Sequence, residues 1–279
     1  MIVEALAGGP GVLRRNWLLL FVAPAKYAAT MAVLCLIIPA PLALAAAEWW
    51  LEANPYVILA TASIGLFLAI AASLAVGAVF DAALFGAACD AVNGKPVTID
   101  SLSVWGLARW RRVFSVNAAA FTLFALLFLP FAPSLALYAT HNLTAALTAG
   151  FAAAAVVSAG ALVLSVALMP LLYMAALYDM DLPGYFRLSV AYVKSNLPEA
   201  LMVCATSALL AQILYAVESV LTGPPQVIPY VGVVISGMLT FLFLALNTAT
   251  VSALSAVWWV TLLKKKPPKS CNAVSPPFP

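Results

Sequence analysis

A single histidine, His141, limits the chemistry open to this 279-residue chain. Zinc hydrolysis draws on several His or carboxylate ligands, and bis-histidine haem ligation needs two histidines. Neither HExxH nor GxSxG occurs, so the usual metal-hydrolase and serine-nucleophile sets are missing. Cys35, Cys89 and Cys204 lie within or near apolar runs and Cys271 lies in the tail, with no CxxC pair among them. A free cysteine in such surroundings behaves as a small hydrophobe. No catalytic residue, metal site or cofactor is expected.

Among the acids, Asp81 and Asp90 have the strongest claim to function. An aspartate inside hydrocarbon is costly and demands a partner or a pathway. With Asn117, Gln212 and Asn247, Asp81 could line a polar path across the chain's apolar segments. The simpler reading has the apolar run before Asp81 ending by Phe80, with both aspartates hydrated or paired to Arg109, Arg111 or Arg112. The three polar amides would then hydrogen-bond neighbouring helices. A lipid-modifying enzyme, its active site assembled from Asp90, Asp179, Asp181 and the nearby arginines at the cytoplasmic interface, ranks below these readings, because these acids lack metal-site spacing.

These residues sit in a chain that is 65% hydrophobic and 8% charged, with a mean hydropathy of +1.08. A soluble domain carries about 25% charged residues. Such a composition makes lipid the natural solvent, and the reading is an all-α integral membrane protein with six transmembrane helices. The first 25 residues form an interfacial lead-in, broken by Gly8, Gly9, Pro10 and Gly11. The six-span domain occupies residues 26–263, and 264–279 form a disordered cytoplasmic tail rich in proline and serine. The expected spans cover about 26–48, 56–80, 113–129, 144–170, 199–221 and 227–263. The second and fourth continue as helix towards Asp90 and Tyr178. Pro39 and Pro41 should kink the first span.

Two segments interrupt the apolar pattern on one side. Asn93-Gly94-Lys95-Pro96 stops a helix, Thr98 or Asp100 can cap the next, and Ile99, Leu102 and Trp105 recur along one side of it. Arg109, Arg111 and Arg112 crowd its end. Farther on, Phe186, Val190, Val193 and Leu197 share a helical face apart from Arg187 and Lys194. Both segments read as amphipathic helices in the headgroup layer, with the five cations facing anionic lipid.

Charge then sets the orientation. With six spans and the N-terminus inside, all 13 basic residues fall on the cytoplasmic side, Lys26 at the mouth of the first span. Glu48, Glu52 and Glu218 fall outside. The separate basic clusters at the ends of apolar runs exclude nucleic acid as a partner. Asn142-Leu143-Thr144 is a sequon on the outer side, close to the start of a span.

The two interrupted segments also look alike: a long helix ending in GAACD or AALYD, a break, an amphipathic stretch and a new span. Both face one side, so they would form a parallel repeat of helix hairpins. The segment from Gly94 to Arg112, and less closely Asp179 to Lys194, resembles uncharacterised six-helix membrane families of archaea and bacteria. These are related to the membrane domain found beside glycerophosphodiester phosphodiesterases. The resemblance implies the six-span fold and transfers no catalytic residues. The function expected is that of a non-enzymatic multi-pass protein of the cell membrane, an accessory or scaffold subunit engaging lipids or another membrane protein. A small transporter or channel is the alternative.

Overall fold

In the computed structural model, which describes residues 2–50, 55–139, 143–221 and 229–267, the chain is helical with no strand among the described residues. Among the described residues ten α-helices follow in order: α1 (Ile2–Arg15), α2 (Leu19–Ile37), α3 (Pro39–Trp50), α4 (Pro55–Val92), α5 (Ile99–Leu126), α6 (Ala132–Ala139), α7 (Leu143–Leu177), α8 (Leu182–Ser195), α9 (Leu197–Leu221) and α10 (Pro229–Lys265). Within them, six stretches are long and apolar enough to cross a membrane, from Leu19–Leu44 to Ala245–Lys265. Several expected features lie outside the described residues. These are Glu52, Asn54, His141, Asn142, the Gly223–Pro225 break, Cys271 and the tail from 268, together with the side chains of Glu48 and Glu218.

The lengths of α4 and α7 follow from uninterrupted apolar sequence. At 38 and 35 residues, they extend about 57 and 52 Å, against a hydrocarbon core of about 30 Å. Asn93-Gly94 ends α4 because Gly94 takes φ +79°, a conformation that costs glycine nothing. The chain reverses and α5 begins at Thr98. Its hydroxyl accepts from Ser101 N at 3.1 Å, while Ser101 Oγ accepts from Thr98 N at 3.0 Å, a reciprocal cap. α4 and α5 then press together along their length. The indole of Trp105 lies directly over Gly86, where any Cβ would overlap the ring.

Three local expectations give way here. The segment rich in Arg109, Arg111 and Arg112 is no separate surface helix: α5 runs from Ile99 to Leu126 without a break. Nothing between Arg112 and Val113 stops a helix, and charge alone does not. Gly8, Gly9, Pro10 and Gly11 leave α1 intact, held by packing on α10, with Trp258 Nε1 donating to Leu6 O at 3.2 Å. Tertiary contact there outweighs weak helix propensity. The first long apolar helix opens at Leu19 rather than 26, since Leu19, Val22 and Ala23 are buried on one side of it. The expected kink appears as a break between Ile37 and Pro39.

α8 is a distinct helix. Asp181 caps it through Gly184 N at 3.1 Å, and Asn196 ends it. Its buried face is Tyr185, Leu188, Ser189, Tyr192 and Val193, turned slightly from the expected one: Val190 and Leu197 are exposed. Two aromatic rings on the inner face explain the rotation, because they bury more apolar surface than Val190 can. The hairpin repeat is accordingly asymmetric. The first unit returns directly as α5, whereas the second interposes α8 before α9.

The core gathers at one end of the bundle. Residues from the ends of α4, α7 and α10, the start of α2 and the inner face of α8 form one buried cluster, with Trp259, Tyr185 and Met174 among its largest members.

Candidate functional site

The polar residues singled out by sequence separate into two places. Asp81, on α4, is gripped by Lys26 of α2, whose Nζ donates to Oδ1 at 2.7 Å and Oδ2 at 2.9 Å. Asn117 of α5 adds a longer contact, Nδ2 to Asp81 Oδ2 at 3.4 Å. Gln212 and Asn247 do not join them. Gln212 is exposed on α9, and Asn247 Nδ2 reaches Ala211 O at 3.5 Å, tying α10 to α9. The four-residue polar path therefore reduces to the pair Asp81 and Asn117, with Lys26 added.

Lys26 is the residue missed by the sequence reading, which set it on the basic rim. It lies seven residues past Leu19, about 10 Å along the helix, and Asp81 lies eleven residues before the end of α4. Apolar sequence precedes Lys26, so its side chain is carried in between the helices, where it meets Asp81. The side chains are 32% and 15% exposed. Asp81 is therefore not paired with the arginines. Asp90 accepts from Trp105 Nε1 at 2.7 Å instead.

The Lys26–Asp81 pair closes one end of an open trench of about 690 Å³. The trench runs between α2, from Lys26 to Ile38, and α4, from Asp81 back to Leu66. Its walls are mainly aliphatic, with Leu34, Ile70 and Leu74 in mid-length and Phe121 of α5 beside Asn117. Ser73 spends its hydroxyl on Ala69 O at 2.8 Å within α4. Charged and amide groups thus converge only at the Lys26 end.

The five rim cations occupy the packed end. Arg109 lies over the Trp105 ring and Arg111 over Trp110, each 5.7 Å from the centroid, a favourable cation–π distance. Arg112 Nη2 meets Asp179 at 2.7 Å. Nη1 of both Arg109 and Arg112 is buried without a hydrogen-bond partner. Arg187 and Lys194 are exposed on α8. Beside them Tyr185 donates to Tyr178 O at 2.9 Å and accepts from Met180 N at 3.2 Å. Burial pushes its hydroxyl above the ordinary tyrosine range.

The last lysines clasp this end together. Lys264 donates to Asn93 Oδ1 at 2.6 Å, Lys265 meets Glu4 at 3.4 Å, and Lys266 pairs with Glu199. The end of α10 is thereby joined to α1, to the α4–α5 turn and to the start of α9. No group of three or more His, Cys, Asp or Glu among the described residues could hold a metal ion. Against family models, curated proteins and solved structures, the chain matches none.

Proposed function

We propose that this chain is a non-enzymatic membrane protein crossing the bilayer six times, with its basic end and both termini in the cytoplasm. It serves as a lipid-engaging accessory or scaffold subunit of the cell membrane. The observation that carries this reading is the sorting of charge along the bundle. Arg14, Arg15, Lys95, the α5 arginines, Arg187, Lys194 and Lys264 to Lys266 all lie on elements around the buried core: α1 and the α4–α5 turn beside the end of α10, and α8 against α5, α7 and α9. The far halves of α2, α4 and α7 are almost purely apolar. A bilayer is the solvent that matches such sorting, and cations at one rim follow the positive-inside rule. Exposed Arg111, Arg187 and Lys194 would meet anionic headgroups, each contributing about 1 kcal/mol near a charged surface. Structural partners already engage the acids considered above: Asp90 serves Trp105, Asp179 serves Arg112, and Asp181 caps α8.

The test has two parts. A cysteine placed at position 111 should resist an impermeant thiol reagent in intact cells and react once the membrane is opened. Labelling from outside would end the topological reading. In nanodiscs of mixed phosphatidylcholine and phosphatidylglycerol, the purified protein should retain phosphatidylglycerol above its bulk share. The triple variant Arg111→Glu, Arg187→Glu, Lys194→Glu should lose that enrichment. Enrichment unchanged by the triple variant would sink the lipid-engaging role.

A second reading, a small transporter, is favoured by the Lys26–Asp81–Asn117 cluster, since ionisable residues among apolar helices commonly mark transport paths. Solute flux in liposomes that is abolished by Asp81→Asn would support it.

A further inference from the structure

We infer that the trench between α2 and α4 is a binding site for one uncharged, single-tailed lipid alcohol, its tail along Leu34, Ile70 and Leu74 and its hydroxyl at Lys26 and Asn117. The inference rests on the chain being membrane-embedded, as proposed above.

The head group is identified by what the polar end leaves unused. An ammonium has three N–H donors, and two of those on Lys26 are committed to Asp81. The third is left for an acceptor. Asn117 uses one of its two amide N–H groups on Asp81, in a contact of 3.4 Å, which leaves its second N–H and its Oδ1 for a ligand. The polar end therefore offers two N–H donors, one from Lys26 and one from Asn117, and an amide acceptor, with the hydroxyl-bearing Tyr27 and Thr30 on the same stretch of the lining. A hydroxyl answers donor and acceptor alike, accepting from Lys26 and donating to Asn117. Bulk acyl chains answer neither, so lipid tails alone would give these polar groups no partner in the trench.

Charge argues against ionised head groups. Lys26 and Asp81 together are formally neutral, with the carboxylate oxygens 2.7 and 2.9 Å from Nζ. A phosphate or carboxylate head drawn to Lys26 would come up against Asp81. An amine drawn to Asp81 would come up against Lys26. In low dielectric, either encounter is penalised far more than in water. Shape supports a single tail. The trench is bounded by two helices over about 18 Å of α2, from Lys26 to Ile38, roughly half the hydrocarbon thickness or slightly more. Its volume of about 690 Å³ lies within the usual range for small-molecule sites, about 300–1,000 Å³.

The experiment uses the full chain in phosphatidylcholine nanodiscs and three photoreactive probes sharing one diazirine-bearing tail: a monoacylglycerol, the fatty acid and the alkylamine. The monoacylglycerol should label α2 and α4 peptides containing Leu34 and Ile70 to Leu74, about fivefold or more above the charged probes. Leu74→Trp, which fills the trench without touching the pair, should abolish that labelling. The double variant Lys26→Met, Asp81→Asn should reduce the monoacylglycerol to the level of the other probes. The inference is overturned if a charged probe labels the trench equally or better. Undiminished labelling in Leu74→Trp, or labelling confined to other helices in the wild-type protein, overturns it too. A protein that will not enter nanodiscs overturns the membrane reading with it. One that enters but shows no preference among probes overturns the site alone.

Discussion

The two ends of this bundle are built on different terms. At the basic end Trp259, Leu263, Val113 and Met174 are fully enclosed by protein, and the salt bridges outside the trench lie there. At the other end Leu36, Phe67 and Phe151 are 80%, 71% and 76% exposed. A water-soluble protein could not tolerate so many large apolar side chains at its surface. The contrast teaches that this sequence specifies its fold at the basic end and leaves its apolar end to be completed by its surroundings. In the bilayer proposed above, lipid tails would be as apolar as leucine, so contact between helices there would gain little from hydrophobic burial.

Substitution can break this comparison most directly at Trp259. It is enclosed, and its ring stands 5.9 Å from that of Tyr173. Trp259→Ala should cost about 3–5 kcal/mol through the cavity it leaves, read as earlier unfolding in a denaturing-detergent titration. Phe67→Ala should fall within about 0.5 kcal/mol. Equal losses at the two sites would erase the distinction between ends. Trp259→Phe sharpens the point. The indole N–H is buried without a partner, so removing it while keeping a ring should cost much less than alanine.

The trench lies between these regimes, and its pair gives the next largest effect. Lys26→Met leaves Asp81 without its cation among apolar helices and should cost about 3 kcal/mol. Lys26→Met with Asp81→Asn should recover most of that loss, since neither charge is then stranded. The measurement is a double-mutant cycle in detergent unfolding. Single and double variants of equal stability would show that the pair contributes no coupling.

Legibility from sequence follows the same division. Long apolar runs announced six helices, and Asn93-Gly94 with Thr98 announced the reversal between α4 and α5, because each rests on a local rule. What went unread depended on contacts between distant segments. Counted with the other cations, Lys26 reads as a rim residue. Yet it is an isolated lysine inside an apolar run, and Asp81 is an isolated aspartate inside another. Two such charges of opposite sign are a signal for pairing that counting by side discards. The continuity of α5 was missed for a different reason: an arginine-rich stretch suggested a surface helix, though no breaker separates it from the apolar residues beyond. On α8 the spacing gave the helix, while the precise buried face depended on where Tyr185 and Tyr192 could insert.

The smallest effect tests whether the reversal itself belongs to the specified end. Thr98 is exposed, and its contribution is local: two hydrogen bonds exchanged with Ser101 at the start of α5. Thr98→Ala removes the side-chain acceptor and should cost about 1 kcal/mol. Thr98→Asn, which restores an acceptor, should recover most of it. Because Trp105 begins its packing on Gly86 within two turns of this cap, fraying should also expose the ring. Trp105 would then show faster quenching by a water-soluble quencher in Thr98→Ala than in the wild type, in a background where the other tryptophans are replaced by phenylalanine. An unchanged quenching rate alongside the loss of stability would place the cap's influence within its own turn, leaving the α4–α5 contact fixed by the core alone.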